Sequence, residues 1–261
     1  MRSSAVLLAL AVSACLQPIP TAAPREEGRI YHYLRSNQDG TLPENIWVYA
    51  RDDDSIEVYK SVERCANAAL VTAELDRTRD EPLSLVGGRV TPDGMQEAFA
   101  WLDLDPDVRG LHARVPSLGV DATLNDIGAP WLLYDFDLAD LTVLRAGDAA
   151  PRADFSFWTA LVWPDERGAN PLRVLGATNV RHRGEDMRFG ADAVRYDVSG
   201  GLTGVLWLDA DDGHVIEARF AEPNHPGYAD FRLTLEGVSH GGEAEWRARL
   251  AAHWAGCPAE E

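Results

Sequence analysis

Along residues 193–220, AVRYDVSGGLTGVLWLDADDGHVIEARF, apolar and polar side chains alternate with a period of two, and Gly200-Gly201 and Asp212-Gly213 break the run at intervals too short for helices. Three strands in a meander are predicted, at 194–198, 204–208 and 214–220. Residues 29–60, RIYHYLRSNQDGTLPENIWVYARDDDSIEVYK, repeat the pattern, with strands at 30–35, 45–50 and 56–60 separated by Asp39-Gly40 and by Asp52-Asp53-Asp54. In YADFRLTLEG, Ala229, Phe231, Leu233 and Leu235 alternate with Asp230, Arg232 and Thr234, which reads as a strand with one wet face.

Between these meanders ALVTAELDR, SLVGGRV, GLHARV, PWLLYDFDLADL, DFSFWTALVWP and LRVLGATNVRH read as further strands bounded by Gly, Pro or Asp. Helices are few. MQEAFAWL could form a short one, while EAEWRARLAAHW satisfies both periods: Trp246, Ala248, Leu250, Ala252 and Trp254 alternate, yet Trp246, Leu250 and Trp254 also fall four apart. We read that segment as a strand. The loop 146–154 divides two halves of what should remain one continuous sheet. So many antiparallel strands in about 230 residues would leave exposed edges unless the sheet curls or is covered. The expected fold is mainly β, a curled antiparallel sheet (half-barrel) with few short helices, in a single domain over 29–261.

Charge excludes one class of partner. Lys and Arg total 24 against 42 acidic residues, a formal net charge of -18, and Lys60 is the sole lysine. Such a surface repels nucleic-acid phosphates, so no nucleic acid is expected.

The N-terminus reads MRSSAVLLALAVSAC. Its apolar run is too short to span a bilayer and fits an export signal over 1–14. The residues Val12-Ser13-Ala14-Cys15 resemble the lipobox of bacterial lipoproteins. That resemblance implies cleavage before Cys15 and acylation there, palmitate included, with an ordinary signal-peptidase site after Ala14 or Ala23 as the alternative. Two or more acyl chains anchor a protein stably. Leu16 after the cysteine implies sorting to the outer membrane, periplasmic face. The stretch LQPIPTAAPREEG then reads as an extended linker, so that 15–28 comprises the lipidated cysteine and its tether. In an oxidising envelope the two remaining cysteines, Cys65 and Cys257, are expected to pair.

Chemical motifs are sparse. GxSxG, HExxH, CxxC, Walker and GxGxxG signatures are absent, no metal site or cofactor is expected, and Asp209-Ala210-Asp211-Asp212-Gly213 is read as a hairpin turn rather than a calcium loop. If 131–137 is a strand, Asp135 and Asp137 share a face about 7 Å apart, a spacing that could divide acid and base roles. His225, in the turn-rich Glu222-Pro223-Asn224-His225-Pro226-Gly227, is the third polar candidate. Trp47, Trp158 and Trp207 are candidates for lining an apolar cavity.

Taken together, the lipobox, the linker and the long meander with tryptophans and YxVxGG-type hairpins look like the bacterial envelope proteins built on the lipoprotein-carrier half-barrel (LolA and LolB), including uncharacterised domains of that architecture. That resemblance implies an apolar ligand on the concave face. The expected function is a non-catalytic outer-membrane lipoprotein that binds an apolar or lipid-like molecule, or serves as an envelope assembly factor, its membrane contact made through lipid and its protein partner unspecified. Two alternatives stand beside it: a structural interaction protein with a plugged sheet, and an envelope hydrolase using the paired carboxylates.

Overall fold

The computed structural model describes residues 28–52, 54–163 and 170–258. The expected signal peptide, Cys15 and the linker up to residue 27 lie outside the described residues. The first wing of the sheet is a meander of β1 (Arg29–Ser36), β2 (Glu44–Ala50), β3 (Ser55–Ser61), β4 (Ala69–Asp76), β5 (Glu81–Val90), β6 (Gln96–Asp105), β7 (Gly110–Val115) and β8 (Val120–Leu124). The second wing holds β9 (Trp131–Leu133), β10 (Phe155–Val162), β11 (Leu172–Arg188), β12 (Ala191–Gly200), β13 (Gly204–Asp209), β14 (Val215–Phe220) and β15 (Phe231–Ser239). Two α-helices, α1 (Ala139–Arg145) and α2 (Gly242–Trp254), complete the fold among the described residues.

All fifteen strands belong to one sheet, in the order β8-β7-β6-β5-β4-β3-β2-β1-β15-β14-β13-β12-β11-β10-β9. The wings join where β1 pairs with β15, from Ile30 opposite Ser239 to Ser36 opposite Arg232. Every ladder is antiparallel except β9 on β10.

This order forces the sheet to curl. Laid flat, fifteen strands would span roughly 67 Å at about 4.8 Å per strand. Yet the chain passes from Leu124 at one edge to Trp131 at the other, and seven Cα steps reach at most about 25 Å. The edges must therefore face each other across a narrow gap, where the Asn170 side chain donates to the Thr123 carbonyl at 3.2 Å. The sheet stays open and does not close into a barrel.

Alternation decides which side chains enter the hollow. On β1 the inward row is Tyr31, Tyr33 and Arg35, and on β3 it is Ile56, Val58 and Lys60, all buried. The hollow is filled by the chain itself. Residues 131–145 turn inward and pack Trp131, Tyr134, Phe136, Leu138, Leu141 and Val143 into the same core as the inward rows of both wings. Helix α1 is buried from Ala139 to Leu144, as expected of a short helix that is apolar nearly all round. Beside this plug, Gly128 allows a close approach: a Cβ there would fall 1.8 Å from the Trp158 indole nitrogen.

Three local expectations are corrected. The segment 243–254 is helix α2, not a strand, because Trp246, Leu250 and His253 form a buried stripe at helical spacing against the outer face of the first wing. MQEAFAWL is not a helix but most of β6, where ladder pairing with β5 overrides helix propensity. Only Trp131–Leu133 of the run 131–137 is strand. Tyr134–Phe136 is a 3-10 turn, so Asp135 and Asp137 do not share a strand face. The expected disulfide is present between Cys65 and Cys257, with Cα atoms 5.5 Å apart.

Candidate functional site

Sequence reasoning singled out Asp135, Asp137 and His225, and the fold brings all three to one mouth of the hollow, by a different route from the one expected. Asp137 closes the 3-10 turn in the left-handed region (φ 55), and Leu138 follows it there (φ 58). Two successive non-glycine residues in that region are strained and persist only where their surroundings hold them. Leu138 is held by the core. Asp137 is held by charge: its Oδ1 accepts from Arg35 Nη1 at 3.0 Å and from Asn224 Nδ2 at 2.6 Å, while Oδ2 faces Lys60 Nζ at 2.5 Å.

Each cation does a second job. Lys60 Nζ also donates to the Asp135 carbonyl at 2.5 Å. Arg35 pairs with Glu44 opposite it on β2, donates to the Tyr228 hydroxyl at 3.2 Å and lies over that ring. Tyr134 donates to the Glu222 carbonyl at 2.6 Å, tying the plug to the loop that carries His225. The whole set clasps the plug to β1, β3 and the 221–230 loop.

Burial and charge split the two carboxyls. Burial by itself would raise Asp137, but Arg35 and Lys60 outweigh it and hold the group well below the usual carboxylate range. Burial pushes Asp135 up to about 6 against the pull of Lys60. His225 is lowered to about 3 by burial and by Lys60, so it is neutral, and its Nε2 finds no partner among the described residues. A split of this kind is what an acid and base pair needs. Here, however, Oδ1 of Asp137 accepts from two protein donors, Oδ2 faces the Lys60 ammonium, and the group is fully covered, leaving no face for a substrate.

Deeper in the plug, Asp140 accepts from the backbone N–H groups of Leu133 and Leu141, each at 2.8 Å, and burial raises it to about 7. Its folded value exceeds its unfolded one, so the folded state carries the extra proton and stability declines as pH rises from about 4 to about 7. Asp135 contributes the same sign; neutral His225 opposes it below its unfolded value of 6.5. Denaturation midpoints followed across this window should fall less steeply in Asp140→Asn. An unchanged slope would remove Asp140 as the source.

The tryptophan candidates do not converge. Trp158 packs beside Gly128 at the margin of the core. Trp207 lies on the outer face of β13 and donates to Asp186 at 2.9 Å. Trp47 is also on the outer face, stacked with His32 at a centroid distance of 3.6 Å, and the Arg249 guanidinium lies 3.2 Å from its ring centroid.

Trp47 lines a groove of about 570 Å³ between α2 and strands β2 and β3. The helix wall is firmly placed. Trp246 donates to Glu57 at 2.6 Å, and Arg247 holds the same carboxylate through two bonds of 2.6 and 3.0 Å. His253 Nε2 lies 2.7 Å from the Ala66 carbonyl, which can only accept, so Nε2 carries the proton and Nδ1 accepts from the Tyr59 hydroxyl, also at 2.7 Å. Arg64 donates to the Ala252 and Ala255 carbonyls at the helix end. Trp47, Val62, Ala248 and Ala252 give the groove an apolar lining, and Arg64, Arg249, Glu63 and Glu245 charge it.

Sequence reasoning missed Lys60, Arg35 and the groove's helical wall. No group of metal-ligating side chains occurs among the described residues. Fold and sites define an open antiparallel half-barrel whose hollow is plugged by its own chain and which carries an accessible groove on its outer face. The chain matches no protein-family model and no curated protein.

Proposed function

We propose that the chain is a non-catalytic lipoprotein of the outer membrane's periplasmic face, binding an amphiphilic, lipid-like molecule in the groove beside α2. The contrast between the two faces carries this reading: the hollow is occupied by residues 131–145, whereas the groove of about 570 Å³ is open and both apolar and charged. Val62, Ala248 and Ala252, with the edge of Trp47, would cover an acyl segment, and Arg64 or Arg249 a polar head. The Val12-Ser13-Ala14-Cys15 motif supports the anchor. Gly242 N–H donates to the Gly28 carbonyl at 3.1 Å, so a tether would leave the domain beside the start of the helix that walls the groove.

Two properties are tested together. The full chain carrying Cys15→Ser should leave the membrane fraction, and native mass spectrometry of that gently purified form should show a bound amphiphile that Ala248→Trp, by filling the groove, displaces. Membrane retention of the Cys15→Ser protein would overturn the anchor. Absence of a bound mass would overturn the ligand and leave the plugged structural protein as the better description.

A further inference from the structure

The outer face of the second wing, which α2 does not cover, carries a different charge arrangement. Glu217 on β14 is 0% exposed although it points away from the core. Three arginines cover it. Arg219 Nε and Arg232 Nε both donate to Oε1, at 2.8 and 3.0 Å, and Arg188, at the end of β11, pairs with Oε2. Groups that share one carboxylate at hydrogen-bond distance lie within about 7 Å of one another. Arg188 is fixed further by lying over the Trp207 and Phe189 rings, at 4.5 and 4.8 Å.

One carboxylate balances only one of the three cations. The surplus of two positive charges is local and stands out on a chain of formal net charge -18. On the neighbouring strands Asp197 is shared by Arg183 and Arg195, and Asp186, which accepts from the neutral Trp207 indole, keeps its charge and acts on Arg195 and Arg188; counted together, five arginines meet three carboxylates, so the excess of two remains. The guanidinium groups also reach solvent, with side chains 24%, 39% and 27% exposed for Arg188, Arg219 and Arg232. Because Glu217 engages Arg219 and Arg232 through Nε alone, their Nη donors make no other hydrogen bond among the described residues.

We propose that Arg188, Arg219 and Arg232 form a binding site for a phosphate group, with Glu217 as the post that holds the three guanidinium forks converged. Converged like charges repel, and an anion seated on them would relieve that repulsion. Planar guanidinium groups match phosphate oxygens in geometry, and the double surplus matches a phosphate near its second ionisation. The phosphate is either free in solution or carried on a lipid headgroup.

Two ligands distinguish these sources. The full chain carrying Cys15→Ser, so that no acyl anchor contributes, is titrated with inorganic phosphate at low ionic strength and cosedimented with vesicles of phosphatidylcholine alone or with added phosphatidic acid. Saturable phosphate binding identifies the free ion; selective sedimentation with phosphatidic acid identifies the headgroup. In either arm Arg219→Gln/Arg232→Gln should weaken binding at least ten-fold. The single variant Arg219→Gln, whose side chain is the most exposed of the three, should weaken it less and serves if the double variant fails to fold. Lack of binding in both arms, or equal binding by wild type and a folded double variant, overturns the site.

Discussion

Asp137→Ala should lower the free energy of unfolding by about 3–5 kcal/mol, the range for breaking a buried ion pair by removing one partner. Asp137 is fully covered and balances Arg35 and Lys60, which are 4% and 6% exposed. Removing it leaves two buried cations facing each other, with Glu44 paired to Arg35 and Lys60 left to the more distant pull of the Asp135 and Glu44 carboxyls. The variant also loses the contacts that hold two consecutive residues in the left-handed region. Urea unfolding followed by tryptophan fluorescence reads the loss as a lower midpoint at similar slope. A change below about 1 kcal/mol would mean that the clasp is a surface-like ion pair of little consequence. Combining Lys60→Met with Asp137→Ala should cost less than the sum of the singles, since each removes the other's reason for being buried.

Removing the disulfide is the second large effect. Cys65 and Cys257 are 192 residues apart, and the chain-entropy model assigns a loop of that length about 5 kcal/mol of stabilisation. That contribution acts through the unfolded state, so Cys65→Ala/Cys257→Ala should unfold at markedly lower denaturant while its native structure changes little. Helix α2 keeps its other holds in that variant: Trp246 and Arg247 on Glu57, and His253 between Tyr59 and Ala66. Native-state hydrogen exchange should therefore show α2 amides still protected relative to the turns, alongside a lower global ceiling. Selective loss of protection in α2 would show instead that the bridge is what holds the helix down.

How much of this could be read in the sequence depended on whether local pattern and tertiary setting agreed. Strands β1 to β3 and β12 to β15 were legible because their alternation is bounded by turn residues; the inner face of each is buried, and β3, covered by α2, is buried on both faces. Helix α2 was not, since its tryptophans and leucine satisfy both periods; the choice is made by Glu57 and the outer face of β3, which lie nearly 190 residues away in the chain. The plug was illegible for a different reason. Residues 131–144 are buried on nearly every side, so they carry no periodic signal, and the left-handed turn falls on Asp137, which tolerates that region, and then on Leu138, which does not and is held there by the core.

For the polar cluster the three named residues do meet, but the signal that mattered lay elsewhere. Two inward rows, Tyr31-Tyr33-Arg35 and Ile56-Val58-Lys60, each end in a cation, and a cation on an inward row demands a buried anion. Followed from Lys60, the chain's sole lysine, that demand leads to Asp137.

The seam between β1 and β15 bears on how such a protein can come into being. The first strand of the domain finds one of its two neighbours only in the last, so a chain delivered vectorially with its N-terminus leading must hold that flank unpaired until residues beyond 230 emerge. Contacts this distant in sequence also make for slow assembly. Between delivery and completion the exposed edge is open to any extended polypeptide nearby. Completion of the sheet therefore waits for its last strand, and shielding one flank of β1 until then would be enough to protect it.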